Sequence, residues 1–314
     1  MTDKTRPLAA IDIGTNTTRL LIGRVKRNGI EKIYSERIVT RLGEGISKNG
    51  LLKKETITKS IAVLKKFSSV ISQHRVSNVS AIATSAMREA KNRDEFLKKA
   101  KKEAGLKIEV ISGKEEAKKT ALGMMAGIKL PKTALMVDIG GGSTELIFIR
   151  RRNPELVRSL NLGVVYLADK YMKNDPPLEK DLTQMGNFIS RKILSAAGSF
   201  KKLFSEDTVF IGTAGTVTAL AAMAQHLLKF EHSKIHNFRL TIKKARDIYS
   251  KISTITAKER IKYHSFEPER LDIIVPGTLI LLKLMEVFGF QKIIVSDYGL
   301  REGILIDLYR KSEN

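Results

Sequence analysis

The sequence predicts an α/β protein made of two related domains. A nonapeptide, Asp12-Ile-Gly-Thr-Asn-Thr-Thr-Arg19-Leu20, returns as Asp138-Ile-Gly-Gly-Gly-Ser-Thr-Glu145-Leu146, both fitting D-I-G-x-x-[ST]-T-x-L. The two copies stand about one domain length apart, the signature of a duplicated unit. Each copy follows a short, branched apolar run and precedes another, which reads as strand, tight loop, strand. Elsewhere strand-length apolar runs alternate with helical periodicity, the pattern of an α/β chain.

In the first half, Leu8–Ile11 and Leu20–Val25 are strands around the first loop, Asn28-Gly29 is a hairpin turn, and Ile30–Thr40 is a third strand. Arg41-Leu-Gly-Glu-Gly45 is a glycine-rich loop. Apolar residues Ile57, Ile61, Leu64, Phe67 and Ile71 recur at intervals of three and four, which predicts a helix. Val79–Ala83 is a strand with a polar exit through Thr84–Ala90 into a helix near 94–104. Leu106–Ile111 is the next strand, closing on Ser112-Gly-Lys-Glu-Glu-Ala117. The order β-β-β-α-β-α-β is ribonuclease H-like.

The second half begins with a strand pair over Leu135–Phe148, then Glu155–Leu160 and Gly163–Val165. A long helix is expected over 178–203, a strand at Thr208–Ile211, and a helix over 217–228 that opens off Gly212–Thr218. Asp272–Val275 leads through Pro276-Gly277 into an apolar helix over 279–288. Lys292–Ser296 is the last strand, and Asp297–Gly303 opens a terminal helix. Domains are expected at 1–121 with 300–314, and at 122–299. No Gly/Ser/Pro linker separates them, so a tight cleft is expected.

At 314 residues and 42% hydrophobic, the chain can form two real cores. No apolar run approaches a membrane span and the start does not resemble a signal peptide, so a cytoplasmic protein without membrane partners is expected. The absence of cysteine excludes disulfides, thiolate metal sites and a cysteine nucleophile. A net charge of +23 suits a polyanion, although a solubilising surface is the alternative. The basic residues are scattered, tryptophan is absent and aromatics are 6%, so nucleic acid is not the expected partner.

The glycine-hydroxyl loops lie at the C-terminal ends of predicted strands, where open α/β sheets bind ligands. Glycines there bare backbone N–H groups to an anion. Asp12, Asp138 and Glu145 stand in these loops, and Glu116 follows another strand. Where the copies differ they differ in charge, Arg19 against Glu145. Phosphoryl transfer to water fits this set: arginines and loops for phosphate oxygens, carboxylates for a divalent cation, a carboxylate for the water. Local readings compete. The loops could be ornamented hairpins, Glu115 and Glu116 could be helix-start acids, and Arg88 could pair with a surface acid. His74, His226, His232, His236 and His264 show no ligand spacing, and neither a Walker-type loop nor G-x-G-x-x-G occurs.

Six segments in order resemble the exopolyphosphatase/guanosine pentaphosphate phosphohydrolase (Ppx/GppA) family over nearly the whole chain. They are Asp12–Arg19, Thr84–Arg88, Ile111–Ala117, Asp138–Glu145, Gly212–Thr216 and Ser296–Gly303. The resemblance implies two ribonuclease H-like domains of the actin-like ATPase, chaperone and sugar kinase superfamily around a cleft. It implies Glu116 as catalytic base, and Mg2+ (or Mn2+) held by Asp138 and Glu145, with Asp12 a further candidate. Phosphate is then held by Thr15, Asn16, Thr17, Arg19, Arg88, Gly141, Gly142, Ser143, Thr213, Gly215 and Thr216. It further implies inorganic polyphosphate or guanosine pentaphosphate as substrate and raises a homodimer. The chain looks like the short form, without C-terminal HD-like domains, which bears on processivity. His236-Asn237 stands where a glycine is expected after the histidine. The rival readings are guanosine pentaphosphate hydrolysis, a non-catalytic polyanion-binding regulator, and a kinase.

Overall fold

The computed structural model describes residues 6–27, 29–129, 131–263, 265 and 267–313; the expected Asn28 half of a turn and His264 lie outside them. Two compact units emerge, one of residues 1–127 with 298–314 and one of residues 128–297.

The first unit opens with β1 (Leu8–Ile13), β2 (Thr17–Lys26) and β3 (Gly29–Val39), followed by α1 (Ile46–Asn49) and α2 (Lys54–Gln73). Then come β4 (Asn78–Ala83), α3 (Ser85–Glu89), α4 (Arg93–Ala104), β5 (Ile108–Val110) and α5 (Gly113–Gly127). Because α5 runs unbroken through residue 121, this unit extends to Gly127 rather than stopping at 121.

The second unit holds β6 (Thr133–Ile139), β7 (Thr144–Arg150), β8 (Asn153–Leu160), α6 (Val164–Tyr171), α7 (Glu179–Lys201), β9 (Val209–Thr213) and α8 (Ala214–Ala224). It continues through α9 (His232–Ile235), β10 (Arg239–Thr241), α10 (Ile242–Ile252), α11 (Ile274–Phe288) and β11 (Lys292–Val295). The chain then returns to the first unit as α12 (Leu300–Glu313).

Both sheets are mixed and share one strand order. The first runs β3-β2-β1-β4-β5, with β1, β4 and β5 parallel and the hairpins antiparallel. The second repeats this as β8-β7-β6-β9-β11 and adds β10 antiparallel at the edge. This is the expected ribonuclease H-like order in duplicate, within an α/β architecture.

Period-two alternation decides which side of the first sheet each helix covers. Ala9, Ile11, Ile13, Leu20 and Ile22 pack on α2 and α4 through Ile57, Ile61, Leu64, Phe67 and Phe96. Leu8, Ala10 and Leu21 face the other way, onto Leu300, Ile304 and Leu305 of α12. Helices α5 and α12 approach through bare backbone: a Cβ on Gly303 would lie 1.7 Å from the Lys119 carbonyl oxygen. The second sheet is buried by α7, α8 and α11 in one continuous core.

Several boundaries move from the expectation. Gly163–Val165 is not strand but the start of α6, a segment whose eight residues are too few to reveal a helical period. Helix α8 starts at Ala214, not 217, and α11 at Ile274, not 279; Pro276 is accommodated in the first turn, where its missing N–H costs nothing. Among the described residues no helix is long and apolar enough to cross a membrane.

Candidate active site

In the first unit, the N–H of Gly14 donates to the Thr17 carbonyl at 2.9 Å and closes the loop between β1 and β2. A Cβ at Gly14 would come within 3.1 Å of that carbonyl, so the residue is small by necessity. The carbonyl of Asn16 accepts from the N–H groups of Thr40 (3.0 Å) and Arg41 (2.9 Å), and that of Thr15 from Gly43 (2.9 Å). The glycine-rich 41–45 loop therefore holds the phosphate-loop candidate by its back. Thr15, Asn16 and Thr17 are buried, and the Asn16 Nδ2 donor has no acceptor among the described residues. A buried amide donor without an acceptor is costly, and an anion oxygen would satisfy it.

Asp12 stands opposite Arg19 in the β1–β2 register, 3.7 Å from its guanidinium. Burial raises the Asp12 carboxyl above its ordinary value; Arg19 and Arg301 oppose this, and Glu302 adds to it.

Arg88, on α3 at the end of β4, donates through Nη1 to the Ile111 carbonyl (3.1 Å) and to Glu116 Oε2 (2.6 Å). Glu116 is buried in the first turn of α5. Its neighbour Glu115 turns back to accept from the Ser112 N–H (2.9 Å) and Oγ (2.7 Å), which hold its carboxyl below the ordinary value. Glu115 is thus a capping acid. Glu116 is turned to an arginine instead. The helix-start reading holds for one of the two glutamates.

The second unit builds the same loop. Gly140 N–H donates to the Ser143 carbonyl at 2.9 Å, matching Gly14 and Thr17. Asp138 faces Glu145 where Asp12 faces Arg19, and on its other side Asp138 is level with Thr213. Glu145 is 1% exposed and accepts from Ser159 Oγ at 2.7 Å. Like charges directly across strands repel, and a hard divalent cation would offset them. Two carboxylates with nearby hydroxyls fit Mg2+ or Mn2+. Among the described residues no cluster of three or more His, Cys, Asp or Glu is assembled, so water or a bound phosphate would complete such an ion's shell, as Mg2+ favours.

Gly141, Gly142 and Ser143 owe their shape to a segment that sequence patterning misplaced. Helix α6 donates from Val164 to Gly140 (3.1 Å) and from Val165 to Gly141 (2.9 Å). A Cβ on Gly163 would sit 2.3 Å from Gly141 O and Gly142 Cα. Gly163 is therefore fixed by close approach, with only a lone glycine in the sequence to signal it.

At the third loop, β9 passes through Thr213 into α8, which carries Gly215 and Thr216. Arg270 lies against it: a Cβ on Gly215 would fall 1.8 Å from Arg270 Nη1. The Arg270 Nε is paired with Glu267 at 2.7 Å, both side chains buried. Fully buried Arg260 anchors this segment, donating to the carbonyls of Ile252 (2.7 Å), Ile255 (2.8 Å) and Leu271 (3.0 Å). The contact of Arg270 with Gly215 of this candidate loop was not legible in the sequence, since one arginine among polar neighbours has no periodicity.

Comparison with known proteins decides the family. The family model described as "Ppx/GppA phosphatase family" matches residues 21–312. The chain belongs to the Ppx/GppA phosphatase family. Exopolyphosphatase 2 of Mycobacterium tuberculosis is 28% identical over 317 residues, covering 96% of this chain and 98% of that protein. A bifunctional 3-dehydroquinate synthase/phosphatase of Fusobacterium nucleatum is 33% identical over 312 residues; the match takes in 95% of this chain but 46% of that longer protein. The crystal structure of the Aquifex aeolicus Ppx/GppA family member superposes with a TM-score of 0.82 at 32% identity, covering 98% and 99% of the two chains.

The departure at His236-Asn237 has a local explanation. Asn237 adopts φ 65°, the left-handed region where glycine is at ease and asparagine is tolerated. Its N–H donates to the Val295 carbonyl at 2.8 Å. His232 Nδ1 lies 2.7 Å from Asp297 Oδ2, and His236 Nδ1 accepts from the Asp297 N–H at 3.2 Å. These two histidines of the Ppx/GppA chain are engaged in local ties around Asp297.

Proposed function

We propose that this Ppx/GppA family chain is a hydrolase of phosphoanhydride bonds that removes the terminal phosphate of inorganic polyphosphate, with Mg2+ or Mn2+ as its ion. The observation that carries the reading is the contrast between the twin hairpins. One places a carboxylate beside an arginine and the other places two carboxylates face to face. The first suits phosphate oxygens and the second a divalent cation.

Glu116 accepts the proton of the attacking water and turns it toward the terminal phosphorus. Arg88 and Arg19 neutralise charge on the phosphate oxygens as the bridging oxygen departs. For the remaining oxygens the first unit offers Thr15, Asn16 and Thr17, and the second offers the N–H groups of Gly141, Gly142 and Ser143 with Thr213–Thr216. Asp138 and Glu145 hold the ion, which when bound withdraws charge from the phosphate. A net charge of +23 favours a repeating polyanion, and the end-to-end match to an exopolyphosphatase supports the same substrate class.

The test is phosphate release from long polyphosphate, tripolyphosphate and guanosine pentaphosphate, with and without Mg2+. Turnover of polyphosphate in Mg2+ is expected. Turnover of the nucleotide alone would move the assignment to a guanosine pentaphosphate hydrolase. Silence on all three would leave a polyanion-binding protein.

A further inference from the structure

The twin hairpins differ again on the third strand. Arg19 on β2 is the register partner of Asp12 on β1 and also of Arg37 on β3. Residues in register on neighbouring strands project to the same face, so Asp12, Arg19 and Arg37 form a row across the sheet. The corresponding row in the second unit is Asp138, Glu145 and Ser159. Where the ion-type row ends in a hydroxyl, the phosphate-type row ends in a second arginine.

Two guanidiniums set directly across a strand pair repel one another. The row also carries a buried acid, Asp12, 3.7 Å from the Arg19 guanidinium. A third arginine joins the same face: Arg301 donates through Nη1 to Ser35 Oγ at 2.9 Å, two residues along β3 from Arg37, and it also acts on Asp12. Glu302 draws on this group, 3.7 Å from Arg301 and 3.5 Å from Lys32. Guanidiniums on one face of the sheet match an anion with several oxygens on more than one centre, since each presents paired donors to a phosphate.

We propose that Arg37, together with Arg19, forms a subsite for the second phosphate of a phosphoanhydride chain, the one left behind when the terminal phosphate departs. This rests on the hydrolase reading above and adds a residue that sets substrate class: it favours a diphosphate end over a lone phosphate or a simple phosphate ester. Arg37 acts by binding and takes no part in proton transfer.

The experiment is calorimetric titration of the intact protein, in Mg2+ buffer, with pyrophosphate and separately with orthophosphate. Wild type, Arg37→Gln and Arg37→Lys are compared, with circular dichroism to confirm folding. Loss of a charge-assisted fork corresponds to about a tenfold or greater weakening. Pyrophosphate binding to Arg37→Gln is therefore expected to weaken about tenfold with orthophosphate changed less than about twofold, and Arg37→Lys to fall between. The tripolyphosphate KM should rise in parallel. Wild-type pyrophosphate affinity in Arg37→Gln, or equal losses for both anions, overturns the subsite. Because the titration needs no turnover, a discriminating titration in a protein that hydrolyses nothing would uphold the subsite and sink the hydrolase reading. Hydrolysis with an unchanged titration would do the reverse.

Discussion

Arg88 Nη1 reaches Glu116 Oε2 at 2.6 Å while also donating to the Ile111 carbonyl at 3.1 Å. One arginine thus ties the end of β5 to the first turn of α5 and orients the carboxylate proposed to activate water. Glu116→Gln keeps the shape and the hydrogen bond to Arg88 but cannot take a proton. Phosphate release from polyphosphate should fall by about a hundredfold or more, with the urea midpoint near wild type. A folded variant with wild-type turnover would remove Glu116 from the base role. Arg88→Met should both slow turnover and lower stability, by about 1–3 kcal/mol for a part-buried charged hydrogen bond.

Glu145 gives a prediction of opposite signs in two buffers. It lies directly across from Asp138 and is almost fully buried. Glu145→Gln removes the like-charge pair and leaves an oxygen to accept from Ser159. In EDTA the variant should be more stable than wild type by roughly 0.5–1 kcal/mol. With Mg2+ the order should reverse, because only wild type gains from binding the ion. Thermal melts in both buffers check this, and an identical Mg2+ response in both proteins would speak against an ion at the pair.

The repeated nonapeptide made the core of the fold legible, because a D-I-G-x-x-[ST]-T-x-L hairpin brings its own closing hydrogen bond, from Gly14 to Thr17 and from Gly140 to Ser143. The parallel pairing of β1 with β4 and of β6 with β9, seen in the structure, is in keeping with the alternation of strand and helix. Hidden from the sequence were the residues defined by contact across the fold. Gly163 matters because it touches Gly141 and Gly142, and Arg270 because it covers Gly215. Glu115 and Glu116 are alike in one dimension. Only the turn of α5 sends one to Ser112 and the other to Arg88.

Gly303 and Gly198 should respond oppositely to alanine. A Cβ at Gly303 would meet Lys119 O at 1.7 Å and push α12 off α5, one turn from Glu116, whereas a Cβ at Gly198 meets nothing within 4 Å. Gly303→Ala should cost about 2–3 kcal/mol by overpacking, and Gly198→Ala, in the last turn of α7, should add about 0.5–1 kcal/mol. Urea unfolding of the two variants measures both.

Asp12 sets a pH dependence. Burial raises its folded carboxyl above the ordinary aspartate value of 3.8. The native state therefore holds this proton more tightly than the unfolded chain, and the stability due to it is present at low pH and lost as pH rises through the folded value. In metal-free buffer Asp12→Asn should be more stable than wild type near neutrality, with the gap closing as pH falls toward 3.8. A gap that instead widens toward low pH would mean that Arg19 and Arg301 outweigh burial.

Asn237 tests the reading of the family departure. Its φ of 65° is strained for residues with bulky β-carbons and easy for glycine. Asn237→Gly, the residue expected from the family pattern, should change stability by less than about 0.5 kcal/mol, as relief of strain is balanced by a more flexible unfolded chain. Asn237→Val should cost about 1–2 kcal/mol, because a branched side chain disfavours the left-handed region. If valine were tolerated as well as glycine, positive φ would not be what this position requires. The loop joins β11 through the Asn237–Val295 and Val295–Phe238 hydrogen bonds, at 2.8 and 2.9 Å. Amide exchange at Val295 should therefore accelerate in the valine variant and stay protected in the glycine one.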